Sequence, residues 1–425
     1  MSSYSIAKLH AREILDSRGR PTVWAECVLA GGFVGRASVP SGASTGRAEA
    51  CELRDGDRMR YRGLGCRRAV ENVRTEIHQR VRGRAFASQA EFDRELMLLD
   101  GTPNFSRLGA NAVLAVSLAF ARAGAALRGE PLYRHFADMA GLPLRTLPRL
   151  TVNLFSGGKH AGGQAPLQDV LLAPVAAGTI ADGLAAVFAV YQAAAELVEK
   201  KYGQRLLRAD EGGLAPLFPD AESMLGDAIE AIRAAGFAPG PEMALAVDVA
   251  SSHFFRDGRY HLGPEKLDSA GMIDRLADWA GRYPLVSIED GLSEDDWANW
   301  PLLRSRLAGR TLTLGDDFLC TQPLRIKRAA TARAADALLL KVNQVGTLTG
   351  AAQAISLARS AGWKVTISAR SGETEDDWLA DLAVGWGADF IKVGSITQSE
   401  RLAKYNRLLA IEEETNLPLM KGSGL

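Results

Sequence analysis

From about residue 243 onward, short apolar runs recur along the chain, at residues 243–249, 285–288, 311–314, 337–340, 364–368 and 389–391. Stretches with helical periodicity separate them, as at 347–360 and 400–413. Runs this short and this apolar read as strands buried on both faces, and their alternation with helices predicts parallel βα units. Six such units, preceded by the region 150–240, are enough to close a barrel of the TIM type. The first third has a different rhythm. Residues 22–29 alternate as a half-buried strand does, Gly31-Gly32 marks a hairpin-like turn, and 67–82 and 109–128 carry helical patterns. Residues 141–148, with two prolines and a glycine, read as a linker. The expected fold class is α/β: an N-terminal α+β capping domain over 1–140 and a TIM-like (β/α)8 barrel over 141–425.

The residues that follow each apolar run carry the chemistry. The run at 243–247 ends in Asp248, that at 285–288 in Glu289, and that at 311–315 in Asp316. The run at 337–340 ends in Lys341, the next leads to Arg370 and Ser371, and the last ends in Lys392. In a parallel barrel all these ends converge on one face, where active sites sit. A single charge at a strand end is ordinarily a structural ion pair. Six in succession, buried without partners, would cost several kcal/mol each; a shared cation and an anionic substrate would partner them all. Three carboxylates without His or Cys form an all-oxygen site that suits Mg²⁺ rather than Zn²⁺. Only eleven residues are Lys against thirty-nine Arg, yet two lysines occupy adjacent strand ends. Lysine, unlike arginine, can lose its proton beside another cation, so Lys341 is placed to act as a general base next to Lys392 and a metal ion.

Composition narrows the field. Lys plus Arg and Asp plus Glu are both 50, so no bulk field favours nucleic acid or an anionic membrane. No uninterrupted apolar run reaches the ~18 residues of a membrane helix, and the first residues lack a signal-peptide core. Four cysteines without metal spacing read as reduced thiols of a cytoplasmic protein.

With these residues in place, the chain resembles the enolase (phosphopyruvate hydratase) family over nearly its whole length. The resemblance rests on Glu13-Ile-Leu-Asp-Ser-Arg-Gly19, Val39-Pro-Ser-Gly-Ala-Ser-Thr-Gly46, Glu52-Leu-Arg-Asp-Gly-Asp57, Leu108-Gly-Ala-Asn-Ala112, Gly157-Gly-Lys-His160 and Asp210-Glu-Gly-Gly213. It continues through Ser287-Ile-Glu-Asp-Gly-Leu292, Leu340-Lys-Val-Asn-Gln344, Arg370-Ser-Gly-Glu-Thr-Glu-Asp376 and Ser399-Glu-Arg-Leu-Ala-Lys404. It implies that Asp248, Glu289 and Asp316 bind magnesium, that Lys341 takes the C2 proton of 2-phosphoglycerate, and that Glu211 is the acid that helps hydroxide leave C3. Lys392, with Glu289, would hold the substrate carboxylate, Arg370 and Ser371 the phosphate, while His160, Gln168 and Asp169 line the pocket. Ser44, in a glycine-rich loop able to close over the site, would chelate a second magnesium. The implied partners are a small phosphorylated acid and further copies of the chain, as a homodimer or homo-octamer.

Two departures stand out. The family pattern before Arg-Ser-Gly-Glu-Thr-Glu-Asp is Ser-His, and here it is Ser368-Ala369; where the family has Gln-Glu, this chain has Gln168-Asp169. Ser156 also replaces the family's Asn before Gly-Gly, and Arg20 another Asn. The first two changes fall on the side that handles the leaving hydroxyl. Three readings follow: an ordinary 2-phosphoglycerate dehydratase; a diverged enzyme of specialised metabolism, such as a phosphonate-pathway enzyme making carboxyphosphonoenolpyruvate, with Ala369 opening space; or a non-catalytic binding protein, which predicts loss of the ligands or base that are in fact present.

Overall fold

The computed structural model describes residues 4–43, 46–163, 165, 167–204 and 207–421. Strands β1 (Tyr4–Leu15), β2 (Pro21–Leu29), β3 (Val34–Ser38) and β4 (Ala85–Phe86) form an antiparallel sheet in the order β3-β2-β1-β4. The alternation read in 22–29 is the burial pattern of β2. Strand β1 has no counterpart in the sequence reading, because its register slips between Ile6 and Lys8 and the bulge breaks the period of two. Residues 67–82 are helical but not one helix: a π-helical stretch, Val73–Ile77, joins Arg67–Asn72 to His78–Val81.

The Ala-rich helix Ala110–Arg128 lies across β2 and β3. Gly35 lets it come close: a methyl group there would sit 2.1 Å from the carbonyl oxygen of Ala119 and 2.2 Å from the amide nitrogen of Ala123. This helix and Ile180–Tyr202 are both long and apolar enough to cross a bilayer, yet the first is largely enclosed in the N-terminal core and the second packs against helix Ala221–Ala234.

The second region is a closed eight-stranded barrel, as expected. Its strands are β5 (Arg149–Ser156), β6 (Asp169–Ala173) and β7 (Ala244–Asp248), then, beyond a small sheet of β8 (Phe255–Arg256), β9 (Arg259–Leu262) and β10 (Glu265–Leu267), β11 (Leu285–Glu289), β12 (Leu312–Gly315), β13 (Ala337–Leu340), β14 (Lys364–Ser368) and β15 (Phe390–Gly394). Inward apolar side chains, among them Leu171, Ala246, Leu314 and Leu339, fill the interior below the mouth.

One strand departs from the all-parallel expectation. β6 runs antiparallel to both β5 and β7. The twelve residues between β5 and β6 hold, among those described, the short 3₁₀ turn Gly158–Ala161 and no longer helix, whereas a parallel crossover is usually built around one. The reversal puts the start of β6 at the barrel end where its neighbours finish. Asp169 is thereby in register with Asp248 on one side and Ser156 on the other.

The linker segment is pinned: Leu147 exchanges backbone hydrogen bonds with Pro418 and Met420, and the Arg149 Nε donates to the Met420 carbonyl at 2.8 Å.

Gly35→Ala is expected to force the helix off the sheet and to destabilise the protein by about 1–3 kcal/mol or more, read as a lower urea midpoint. Gly32→Ala, with open space at its Cβ but φ +87°, should cost less.

Candidate active site

The mouth of the barrel gathers buried charge. Asp248 and Glu289 are register partners at the ends of β7 and β11, and the Lys392 ammonium bridges them, 2.9 Å from Asp248 Oδ2 and 2.7 Å from Glu289 Oε2. Lys392 does not end its strand; β15 runs on to Gly394, so its side chain reaches across from inside the barrel. Lys341 follows β13 and pairs with Asp316, which follows β12. Gln344 Nε2 donates to the other Asp316 oxygen at 2.9 Å, and Gln168 Nε2 donates to Asp248 Oδ2 at 3.1 Å.

These neighbours set the electrostatics. Burial alone would raise the Asp248 carboxyl, but Lys392 brings it down to about 2. Glu289 is pushed well above the usual range, first by burial and then by the Asp248 charge. Lys341 does not show the lowered pKa expected of a ready base: burial lowers it, but the Asp316 carboxylate outweighs this and holds its proton on. A neutral Lys341 amine would require the Asp316 charge to be committed elsewhere.

Glu289 Oε1 is buried with no hydrogen-bond partner among the described residues. An orphaned carboxylate oxygen in an all-oxygen donor set fits a hard divalent cation such as Mg²⁺. Among the described residues, two sets of three ligand-type side chains have atoms all within 4.8 Å, His160–Asp169–Glu211 and Asp290–Asp316–Asp317. Asp248, Glu289 and Asp316 are more widely spread, with the two lysine amines among them. Asp290 is engaged as a backbone acceptor, taking the amides of Asp316 and Asp317 at 2.9 and 2.8 Å, and so fixes the start of the turn after β12.

Beside Asp248, on the neighbouring strand and the loops next to it, His160 Nδ1 lies 3.0 Å from Asp169 Oδ2, and His160 Nε2 lies 3.6 Å from Glu211 Oε1. Asn153 Nδ2 donates to both Asp169 Oδ1 (2.8 Å) and Glu211 Oε2 (3.0 Å). Ala369 sits beside β15, its amide donating to the Lys392 carbonyl, and is almost fully buried.

Arg370 is held by a residue that sequence reasoning passed over. Its guanidinium lies 3.0 and 3.2 Å from the two oxygens of Glu49, and it donates to Asn343 Oδ1 at 2.9 Å. Glu49 follows the glycine-rich loop, whose Ser41 pairs by backbone with Gly372. Ser371 Oγ accepts from Arg18 Nη1 at 3.0 Å, so the N-terminal domain reaches both Arg370 and Ser371. Beneath them, the wholly buried Arg401 donates to the carbonyls of Arg370 and Ser371, each at 2.6 Å. Arg18, Glu49 and Arg401 all stand in or beside the motif segments, which was the available signal. The structure thus brings together Asp248, Glu289, Asp316, Lys341, Lys392 and Gln168 on one side, His160, Asp169 and Glu211 on another, and Arg370 with Ser371 on a third. Ser44 lies outside the described residues.

Arg401→Leu should leave two or three carbonyls without donors and cost roughly 2–4 kcal/mol. It should also weaken binding of an anionic ligand such as inorganic phosphate; a variant with unchanged stability would show that this arginine does not hold the segment.

Two family models cover the chain: "Enolase, N-terminal domain" matches residues 6–136 and "Enolase, C-terminal TIM barrel domain" matches residues 144–418. With an eight-stranded barrel, a capping β-rich domain and both family models accounted for, the chain belongs to the enolase family.

Proposed function

We propose that this protein is a magnesium-dependent hydro-lyase that interconverts 2-phosphoglycerate and phosphoenolpyruvate. The observation that carries the reading is the convergence of two buried lysines with Asp248, Glu289 and Asp316 at one barrel mouth. Asp248, Glu289 and Asp316 are the residues that would hold the metal. Magnesium, when bound, supplies positive charge against the two negative charges of an enediolate. Asp316 committed to the metal would no longer tie up Lys341, whose neutral Nζ then takes the proton from C2. Lys392 holds the substrate carboxylate and stabilises the charge that develops on it. The C3–O bond then breaks, and the hydroxyl leaves as water with a proton delivered from the Glu211 flank. Arg370 and Ser371 hold the phosphate; the Glu49 carboxylate must yield part of the Arg370 fork to it. Ser44 would close over the bound substrate. Four thiols, three of them buried, accord with a reducing cytoplasm, and assembly as a dimer or octamer belongs to the same proposal.

Ala369 favours a second reading. It stands where the family has an imidazole, and on this reading the smaller side chain would leave room for a bulkier relative of the same substrates, as in carboxyphosphonoenolpyruvate formation.

Incubation with 2-phosphoglycerate and Mg²⁺ in D₂O separates the two. The first reading expects both C2 exchange and phosphoenolpyruvate, and Lys341→Ala should reduce both by at least about 10²-fold. Exchange without product supports the second reading; absence of both contradicts the first and leaves a non-catalytic protein or a substrate of another shape. Ala369→His should raise dehydration under the first reading; unchanged or lower activity would count against it.

A further inference from the structure

Asp169 is the residue where this chain shortens the family's glutamate by one methylene, and the structure shows what the shorter carboxylate does. Its side chain is fully enclosed. Oδ1 accepts from Ser156 Oγ at 2.5 Å and from Asn153 Nδ2 at 2.8 Å; Oδ2 meets His160 Nδ1 at 3.0 Å. Three donors take three of its about four acceptor positions, and the side chain has no exposed surface for a substrate to reach. Ser156, the neighbouring departure from the family pattern, is one of the three. A methyl group on Gly213 would lie 2.4 Å from Ser156 Oγ, so this corner has no slack.

With Nδ1 committed to Asp169, the imidazole has one free position, Nε2, and it faces Glu211 Oε1 at 3.6 Å. Asn153 ties the two carboxylates together from behind. We infer that Asp169 is a positioning residue rather than a substrate contact, and that it fixes the His160 ring so that His160 and Glu211 together carry the proton needed by the leaving group. The inference rests on the proposed dehydration for its chemistry, and deepens it.

The charges around the ring agree. Burial would lower the His160 pKa, but Glu211 from its loop, Asp169 from β6 and, further off, Asp248 from β7 raise it to about 9. His253, which also faces this region, is held neutral, down at about 4, chiefly by burial. Lys392 acts on Asp169 and Glu211 from the barrel side. The pair's proton therefore rests on the imidazole, with Glu211 ionised beside it: burial would raise the Glu211 pKa, but His160 pulls it down. When the C3–O bond breaks and its electron pair leaves with oxygen, that proton passes through the His160–Glu211 pair to the departing hydroxyl, and water is released. The proton taken from C2 stays on Lys341, so the balance closes without another reactant.

The test uses the full-length protein with ¹⁵N-labelled histidine, and follows three readouts: the His160 imidazole titration, C2 exchange of 2-phosphoglycerate in D₂O, and phosphoenolpyruvate formation. Asp169→Asn should lower the His160 midpoint by about 1–3 pH units, because it removes a negative partner. It should reduce elimination by up to about 10²-fold while C2 exchange, which depends on Lys341, stays within roughly threefold. Ser156→Ala, the milder change, should move both readouts the same way by less, which keeps the test open should Asp169→Asn fold poorly. An unmoved His160 midpoint, or equal losses in exchange and elimination, would overturn the inference. If the unmodified protein shows no C2 exchange, it is the proposed function that fails, and the imidazole titration still decides whether Asp169 positions His160.

Discussion

Charge neutralisation among buried side chains at the barrel mouth is the constraint on which the rest of the site depends. Asp248, Glu289 and Asp316 are buried beside Lys341 and Lys392, and each lysine is held by the carboxylates it faces. Removing Lys341, Lys392 or Asp316 would strand a buried charge, which costs several kcal/mol. The pairing also restrains the chemistry, because a lysine tied to a carboxylate is not a base. Asp248, Glu289 and Asp316 would hold a divalent cation, and with their charge so committed a lysine amine would be free to act. The orphaned Glu289 Oε1 is the local sign that the carboxylates have more acceptor capacity than the two lysines use.

The fold serves this cluster in two ways. Strand ends supply the charges, and one reversed strand supplies the group beside Asp248. Because β6 runs against its neighbours, its first residue stands level with Asp248 at the mouth. The Asp169–His160–Glu211 group could not face the lysines if β6 were parallel, since Asp169 would then lie at the far end of the barrel. The N-terminal domain completes the third side: Arg18 meets Ser371, Ser41 pairs with Gly372, and Glu49 takes the Arg370 guanidinium. Binding of an anion at Arg370 is therefore coupled physically to the segment that follows the glycine-rich loop.

Much of this was legible in the chain. Asp248, Glu289, Asp316 and Lys341 could be found because a charge directly after an all-apolar run is conspicuous, and the repetition of such runs predicts the barrel that brings them together. The direction of β6 was not legible: an apolar run does not reveal strand direction, and the twelve residues between β5 and β6 are long enough for either sense. Strand β1 escaped because a bulge broke its alternation. Asn153, Ser156, Glu49 and Arg401 were missed because their roles depend on contacts between segments far apart in sequence. Arg401 illustrates the point: it lies on helix Ser399–Thr415, yet it serves two carbonyls some thirty residues earlier.

The central claim is that the three strand-end carboxylates have capacity for a divalent ion. Isothermal calorimetry with Mg²⁺ on the full-length protein, and on Glu289→Gln, tests it most directly. The account predicts saturable uptake by the unmodified protein, weakened by at least about tenfold in the variant. No measurable heat of binding, or equal affinity in the two proteins, would contradict it.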